Sequence, residues 1–193
     1  MSAQRPTGSV HDGERGSTSI EFALILPILV TLCFGIVEIT NLLDQNRKVD
    51  LAVETVTDMV SRMKTVCPSD VTDLTNAVDL EMRPYNASYT ATIAYVAFDS
   101  SGNVDLSKSS NSFQFPVAGN YTIPNASLTT IATGLGVGND GVIIGQVTSA
   151  YSPILLVNFI GTTIQLSQTF TERSRQESIT YDPKGTSAGC TGG

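Results

Sequence analysis

The amino-acid sequence predicts an α+β fold: a long N-terminal α-helix, transmembrane and then amphipathic, packed on a C-terminal domain that contains an antiparallel sheet. Three patterns predict it. Residues 20–37 form an apolar block with a single charge, Glu21. After the block, apolar residues recur at steps of three or four, as on one face of a helix. Further along, several segments alternate polar and apolar residues, as in half-buried strands.

The chain opens with a polar leader, residues 1–16, which is rich in Ser, Gly and Arg and is expected to be disordered. The apolar block follows. At about 1.5 Å per residue it spans about 27 Å, close to the thickness of the hydrocarbon core of a bilayer. Pro27 lies inside the block and is expected to bend the helix. The block is therefore predicted to be a membrane helix.

Other interpretations of the apolar block compete with this one. A cleaved signal peptide is disfavoured because no A-x-A-like site follows the block. A lipoprotein signal at Cys33 is disfavoured because Val30-Thr31-Leu32 lacks the small residues expected before such a cysteine. A plain signal anchor stays open, because hydropathy alone does not exclude it.

The helix is predicted to continue into water, as one element over residues 17–66. No Pro or Gly interrupts residues 36–66, and Pro68 follows. Charged residues fall between the apolar ones and lie on another face of the helix. The apolar stripe is predicted to dock the C-terminal domain. It consists of Val49, Val53, Val56, Val60 and Met63.

The rest of the chain is predicted to form an α+β domain, residues 67–182, followed by a flexible tail, residues 183–193, unless Cys190 holds the tail in place. A short helix is predicted over residues 125–133. The strand at residues 113–117 is expected at a sheet edge, because Pro116 donates no hydrogen bond to a neighbouring strand. In all, strands are predicted where β-branched and aromatic residues alternate or run together, at residues 89–98, 113–117, 142–151, 154–160 and 163–171.

Composition argues against nucleic-acid binding and against several kinds of catalytic site. The formal charge is −7, whereas a nucleic-acid binder needs a basic face. The single histidine, His11, lies in the leader, so a mature chain would have no histidine for a nucleophile or for zinc. Enzymes can work without histidine, through carboxylate pairs or a lysine, so this composition weakens an enzymatic interpretation without excluding it. We predict a non-enzymatic protein without a metal or cofactor. Scattered carboxylates are expected to be surface charge, namely Asp70 and Asp73, Asp79 and Glu81, Glu172 and Glu177.

Residues 136–141 match the dinucleotide pattern G-x-G-x-x-G. The pattern binds pyrophosphate where it follows a strand and opens a helix. Here it follows a predicted helix and precedes a predicted strand. We therefore interpret Asn139-Asp140-Gly141 as a tight turn.

The three cysteines indicate a single disulfide. Cys33 lies in the apolar block, whereas Cys67 and Cys190 lie far apart in polar sequence and fit no metal motif. One pair plus one membrane thiol is typical of an exported protein. We predict that a Cys67–Cys190 disulfide pins the tail to the end of the long helix.

The boundary between leader and block is the most informative segment, Arg15-Gly16-Ser17-Thr18-Ser19-Ile20-Glu21-Phe22. A carboxylate inside an apolar stretch costs several kcal/mol unless it is paired. At a helix start the dipole offsets about 0.3–1 kcal/mol, which suffices if Glu21 lies at the level of the headgroups. The functional interpretation is that Glu21 pairs with a cation. A cut after Gly16 would create one, the new amino group of Ser17, on a neighbouring subunit.

These residues resemble the prepilin class of exported proteins and, more narrowly, the TadE-like pseudopilins of the Tad (Flp) type IV pilus. The resemblance covers residues 15–27, which read R-G-x-x-x-x-E-F-A-L-x-x-P, and Phe34-Gly35-Ile36-Val37-Glu38, which closes the membrane helix. A weaker similarity lies at Tyr151-Ser152-Pro153-Ile154, at the end of an alternating strand. Residues 68–141 resemble nothing that we name.

The resemblance implies a pilin-like fold and specific roles. A prepilin peptidase would cut between Gly16 and Ser17, and Glu21 and Phe22 would act in assembly. The chain would be a single-pass protein of a bacterial inner membrane, with its leader in the cytoplasm and its domain in the periplasm. Its implied partners are the peptidase, other Tad pilins and pseudopilins, the inner-membrane assembly platform and the lipid bilayer.

The length of the chain separates it from a major pilin, which is little more than a helix. The resemblance therefore implies a minor pilin or pseudopilin that acts in assembly, priming or tip display. One alternative is an adhesin or ligand-binding module at the pilus tip, served by the Ser-, Thr- and Tyr-rich residues 85–133. A less favoured alternative is a signal-anchored periplasmic enzyme, which would keep its N-terminus intact.

Overall fold

The computed structural model describes residues 12–85, 88–109, 112–116, 125–136, 138, 140–153 and 163–190. Its fold is α+β, as predicted: a long N-terminal helix lies against an antiparallel sheet. The helices are α1 (Asp12–Ser61), α2 (Pro68–Glu81) and α3 (Asn125–Ala132). The strands are β1 (Thr65–Val66), β2 (Tyr89–Phe98), β3 (Val104–Asp105), β4 (Phe113–Phe115), β5 (Gly141–Tyr151), β6 (Ile164–Arg173) and β7 (Thr180–Tyr181).

The bounds of the long helix differ from the expected residues 17–66. The helix begins at Asp12, so the last part of the leader is helical, because extending a formed helix costs little. It ends at Ser61, whose carbonyl accepts a hydrogen bond from the backbone N–H of Arg175 (3.0 Å). The next residues form β1, which pairs in parallel with β7. This pairing is distant in sequence, and helical periodicity could not reveal it.

Helix α2 was not predicted, because Pro68 was interpreted as a stop. Pro68 instead begins the helix, at a position where the missing N–H of proline costs nothing. The carboxylate of Asp70 accepts a hydrogen bond from the backbone N–H of Cys67 (2.8 Å) and caps the first turn. Leu74 and Val78, one turn apart, are buried against α1. Asp70 is therefore a capping residue and not only surface charge.

The larger sheet has the order β3-β2-β5-β6, and β4 pairs with β2 beside β3. All of its pairs are antiparallel, and Tyr151 at the end of β5 lies opposite Ile164 at the start of β6. Strand β2 has the predicted bounds, β4 lies at the sheet edge as predicted, and α3, β5 and β6 differ from prediction by one or two residues. The run predicted as a strand at residues 154–160 lies outside the described residues.

Both faces of the sheet are covered. The inner face packs on α1, whose predicted stripe is buried: Val49, Val53, Val56 and Val60 are at most 1% exposed, and Met63 packs against the same core from just beyond the helix. The outer face carries a second core in its half far from the apolar block, where Leu128 and Ala132 of α3 cover β2 and β5. The predicted docking of the stripe on the C-terminal domain is confirmed.

Helix α1 lies close to β5 at Gly145. A Cβ atom there would lie 2.1 Å from Thr57 Oγ1 and 3.3 Å from Val53 Cγ2. We expect Gly145→Ala to lower the free energy of unfolding by about 1–3 kcal/mol through overpacking. Adding Thr57→Ala removes the clashing oxygen and should recover part of the loss. Gly35→Ala is the matched control, since a Cβ at Gly35 meets nothing within 4 Å. Urea unfolding of the full chain in detergent measures the effect, and an unchanged midpoint for Gly145→Ala would contradict it.

Residues 183–190 are held in place, as the prediction allowed if Cys190 fixed the tail. A disulfide joins Cys67 and Cys190, with a Cα–Cα distance of 5.6 Å, the pair predicted from the sequence. Asp182 is buried and accepts hydrogen bonds from Ser187 and from the backbone N–H groups of Lys184 and Gly185. We call residues 174–190 the C-terminal strap. It covers the end of α1.

The strap is sensitive to acid. Hydrogen bonds from Ser187, and then from backbone N–H groups, lower the pKa of Asp182 to about 2, from a usual 3.8. The contribution of Asp182 to stability is therefore complete above pH ~4 and is lost as the pH falls through ~2. We expect the proteolysis rate of the strap to rise over this window with an acid-active protease. In Asp182→Asn, a second protease that is active at neutral pH should already cut the strap fast, and a pH-independent rate in the wild-type chain would contradict this assignment.

Candidate assembly site and membrane junction

The predicted cleavage site lies within the first turns of α1. Gly16 and Ser17 have helical backbone, and the helix continues without a break through Glu21. The Gly16–Ser17 bond and Glu21 are thus a little more than one turn apart along the same helix. Glu21 is exposed, and Phe22 is 60% exposed.

The apolar block presents its side chains outward. Helix α1 is, among the described residues, the one helix long and apolar enough to cross a membrane, and none of its most apolar window is buried. A core helix of a water-soluble domain would bury such residues against its neighbours. Exposed members of the block include Leu24 (70%) and Ile28 (62%), as well as the free thiol of Cys33. Lipid or the helices of other subunits can cover such a surface.

Two threonine hydroxyls, one inside the block and one just after it, are satisfied locally. Pro27 lies inside α1 without ending it. The hydroxyl of Thr31 donates to the carbonyl of Pro27 (2.8 Å), and that of Thr40 donates to the carbonyl of Ile36 (2.9 Å). Such bonds one turn back let a threonine lie in an apolar medium without an unpaired donor.

Glu38 marks the point where the exposed helix meets the domain. It is 5% exposed, the first buried residue of α1 among those described. The hydroxyl of Tyr151, at the end of β5, donates to its carboxylate and lies 3.2 Å from its backbone carbonyl oxygen. Burial, followed by the neighbouring carboxylate of Glu38, raises the pKa of Tyr151, so the tyrosine stays protonated and keeps its donor.

Further side-chain bonds hold the same end of the sheet to the following turns of α1. Gln45 Nε2 donates to Ser149 Oγ (3.2 Å) in a buried contact. The hydroxyl of Tyr85 donates to Asp44 Oδ2 (2.9 Å) in an exposed one. We call this group of contacts, together with Glu38–Tyr151, the junction.

The junction joins two segments that the sequence resemblance had singled out separately. Glu38 ends the Phe34–Glu38 motif, and Tyr151 begins the Tyr-Ser-Pro motif, 113 residues later in the chain. Sequence analysis missed this contact, because no local pattern reports which distant residues meet. The one signal available was a polar residue at the edge of each apolar segment.

The other candidate sites from the sequence are the G-x-G-x-x-G residues, possible metal ligands and the aromatic residues of the region 85–133. The G-x-G-x-x-G residues lie between α3 and the start of β5 at Gly141, so a helix precedes them and a strand follows. This order is the reverse of a dinucleotide site. Gly141 of the predicted turn begins β5, and Asn139 lies outside the described residues. Among the described residues, no group of three or more His, Cys, Asp or Glu side chains could hold a metal. In the region of residues 85–133, Tyr95 and Phe98 are buried, as is Phe115.

Comparison with known proteins gives a family match that lies on helix α1. Residues 16–57 match the family model described as TadE-like protein. The match begins at Gly16 and lies entirely within α1, including Glu21 and Glu38. No curated protein and no solved structure matches the chain. The match includes the exposed apolar block of α1, which is the candidate membrane span. Residues 16–57 are thus a TadE-like segment, which confirms the resemblance drawn from the sequence.

Proposed function

We propose that this chain is a minor pilin or pseudopilin of the Tad pilus, acting in assembly, priming or tip display. The observation that carries the proposal is a single helix with two structurally different halves. Its first half exposes an apolar surface that begins just after a Gly16–Ser17 bond and Glu21, and its second half is built into a folded domain. An assembly subunit needs such a combination, a helix for the membrane or fibre core and a domain outside it. The role is non-enzymatic.

The proposed orientation has the leader in the cytoplasm and the domain in the periplasm of an inner-membrane protein. The Cys67–Cys190 disulfide supports it, because disulfides persist in oxidising compartments and are rare in the cytosol. Basic residues do not decide the orientation, since Arg15 precedes the apolar block and Arg47 follows it.

Processing by a prepilin peptidase is the direct test. The peptide bond between Gly16 and Ser17 is helical, so cleavage requires local unwinding, which glycine favours by about 1 kcal/mol over alanine. N-terminal sequencing of the membrane-expressed chain should give Ser17 as the first residue when an active peptidase is present. It should give an uncut leader with an inactive peptidase or in the variant Gly16→Val. An N-terminus that is the same with and without the peptidase would overturn the proposal.

A further inference from the structure

The distance between two carboxylates on α1 is short for a membrane span. Glu21, at the start of the exposed apolar block, and Glu38, just after its end, are 17 residue steps apart on a continuous helix. At about 1.5 Å per residue they lie about 26 Å apart, whereas the hydrocarbon core of a bilayer is about 30 Å thick. If Glu21 lies at the level of one headgroup layer, Glu38 lies at or inside the edge of the hydrocarbon on the other side.

A carboxylate at that depth needs shielding and a hydrogen-bond donor, because a charged side chain in hydrocarbon costs several kcal/mol. Tyr151 supplies both. Its ring and hydroxyl are 2% exposed, Glu38 is 5% exposed, and the hydroxyl donates to the carboxylate. The end of the sheet thus covers Glu38 at the depth where lipid would otherwise contact it.

The open side of the helix remains apolar beyond Glu38. Ile39 is 58% exposed and Leu43 is 52% exposed, in continuity with the apolar block. Leu43 lies about 33 Å along the helix from Glu21, just past the thickness of the hydrocarbon. Beside it, Asp44 binds the hydroxyl of Tyr85, and tyrosine is a side chain that favours the interface between lipid and water.

We propose that the junction end of the domain lies in the headgroup layer of the bilayer, with Tyr151 as a positioning residue that shields Glu38 from lipid. The surface consists of the exposed side chains of α1 between Ile39 and Leu43, with the Tyr85 edge of the domain beside them. Its partner is the phospholipid headgroup layer and the adjoining ends of the acyl chains. The inference rests on the proposed membrane anchoring and adds a depth and an orientation for the domain.

Depth can be measured directly, since the chain contains no tryptophan. The single-tryptophan variants Leu43→Trp and Leu106→Trp report on opposite ends of the domain. Leu106 is 43% exposed and follows β3, which pairs with the end of β2 far from the junction. The full chain is inserted into phosphatidylethanolamine–phosphatidylglycerol vesicles containing lipids brominated near the top of the acyl chain. We expect at least threefold quenching of Leu43→Trp and almost none of Leu106→Trp.

Equal, weak quenching of both variants in chains that float with the vesicles would overturn the lipid contact. Such a result would leave anchoring, shown by flotation, and processing, shown by N-terminal sequencing, intact. Loss of flotation itself would instead contradict the proposed function and, with it, this inference.

Tyr151 is tested in the Leu43→Trp background. Tyr151→Phe leaves the Glu38 carboxylate without its hydroxyl donor, so the helix should shift outward and quenching should fall about twofold. Adding Glu38→Gln removes the charge and should restore quenching. Tyr95→Phe is the matched control, because its hydroxyl donates to the carbonyl of Glu177 (2.8 Å) toward the end of the sheet far from the junction, so its loss should leave quenching unchanged.

Unchanged quenching in Tyr151→Phe would overturn the positioning role. A loss that Glu38→Gln does not restore would also count against it, since that pattern indicates a packing defect. If Tyr151→Phe does not fold, the Glu38→Gln variant alone still decides the role. We expect the tryptophan of Leu43→Trp/Glu38→Gln to be quenched as strongly as that of Leu43→Trp alone, or more strongly. Weaker quenching would overturn the assignment.

Discussion

Replacing Glu21 with glutamine is expected to reduce the incorporation of this chain into pili at least tenfold, with membrane insertion and removal of the leader unchanged. Glu21 lies at the edge of an apolar surface, a little more than one turn after the Gly16–Ser17 bond. After cleavage, the amino group of Ser17 on one subunit can neutralise the carboxylate of Glu21 on another. Inside an apolar helix bundle, losing one partner of such a pair costs about 3–5 kcal/mol.

The measurement compares, by immunoblot, the amount of the chain in sheared pili with the amount in the membrane fraction. It is made in cells that supply the rest of the assembly system. Glu54→Gln is the matched control, since Glu54 is an exposed carboxylate on the water-facing half of the same helix. Normal incorporation of Glu21→Gln would remove the electrostatic argument for assembly. The remaining conclusion would be a tethered domain with a TadE-like segment.

Removing the disulfide is expected to give the largest loss of stability. The bridge between Cys67 and Cys190 closes a loop with a sequence separation of 123 residues, and loops of that size correspond to about 4–5 kcal/mol of chain entropy. The double variant Cys67→Ser/Cys190→Ser should therefore unfold at a much lower urea concentration. Cys33→Ser should not change the midpoint, because the Cys33 thiol is exposed on the apolar block.

A reductant provides an independent check. Dithiothreitol should shift the wild-type midpoint toward that of the double variant and leave the double variant unchanged. Mass mapping under non-reducing conditions should find Cys67 and Cys190 in one linked peptide pair. Two free thiols in the folded protein, or a loss below about 1 kcal/mol, would contradict this prediction.

Local patterns predicted the parts of the fold that depend on local order. The valine stripe of α1 and the alternation in β2 reflect burial on one face, and burial leaves a period in the sequence. The helix end at Ser61 and the backbone pairing of the strap could not be predicted in this way, because both depend on the contact between β1 and β7. The disulfide at the end of the strap was predicted from the cysteines. Helix α2 was predictable in principle, from Pro68 at its first position and Asp70 as its cap.

The candidate site was likewise predictable only where it depends on a local motif. Gly16, Ser17, Glu21 and Phe22 were found through a motif within one short segment, and their roles stay predictions. The contact of Glu38 with Tyr151 was not foreseen, since the two residues lie on different elements and only folding brings them together. A hydrogen bond between distant residues leaves no period or spacing in a single sequence.

Because α1 is unbroken, it fixes the orientation of the domain relative to the first half of the helix. The helix runs from Asp12 to Ser61 with its first half exposed and its second half bound to the sheet, so no hinge separates the two. Each residue of an α-helix turns the chain by about 100°. Inserting one alanine before Glu38 would swing the whole domain around the helix axis by that angle and raise it by about 1.5 Å. In a pilus assembled as proposed, the number of residues between Glu21 and Glu38 therefore sets the direction in which each domain faces its neighbours.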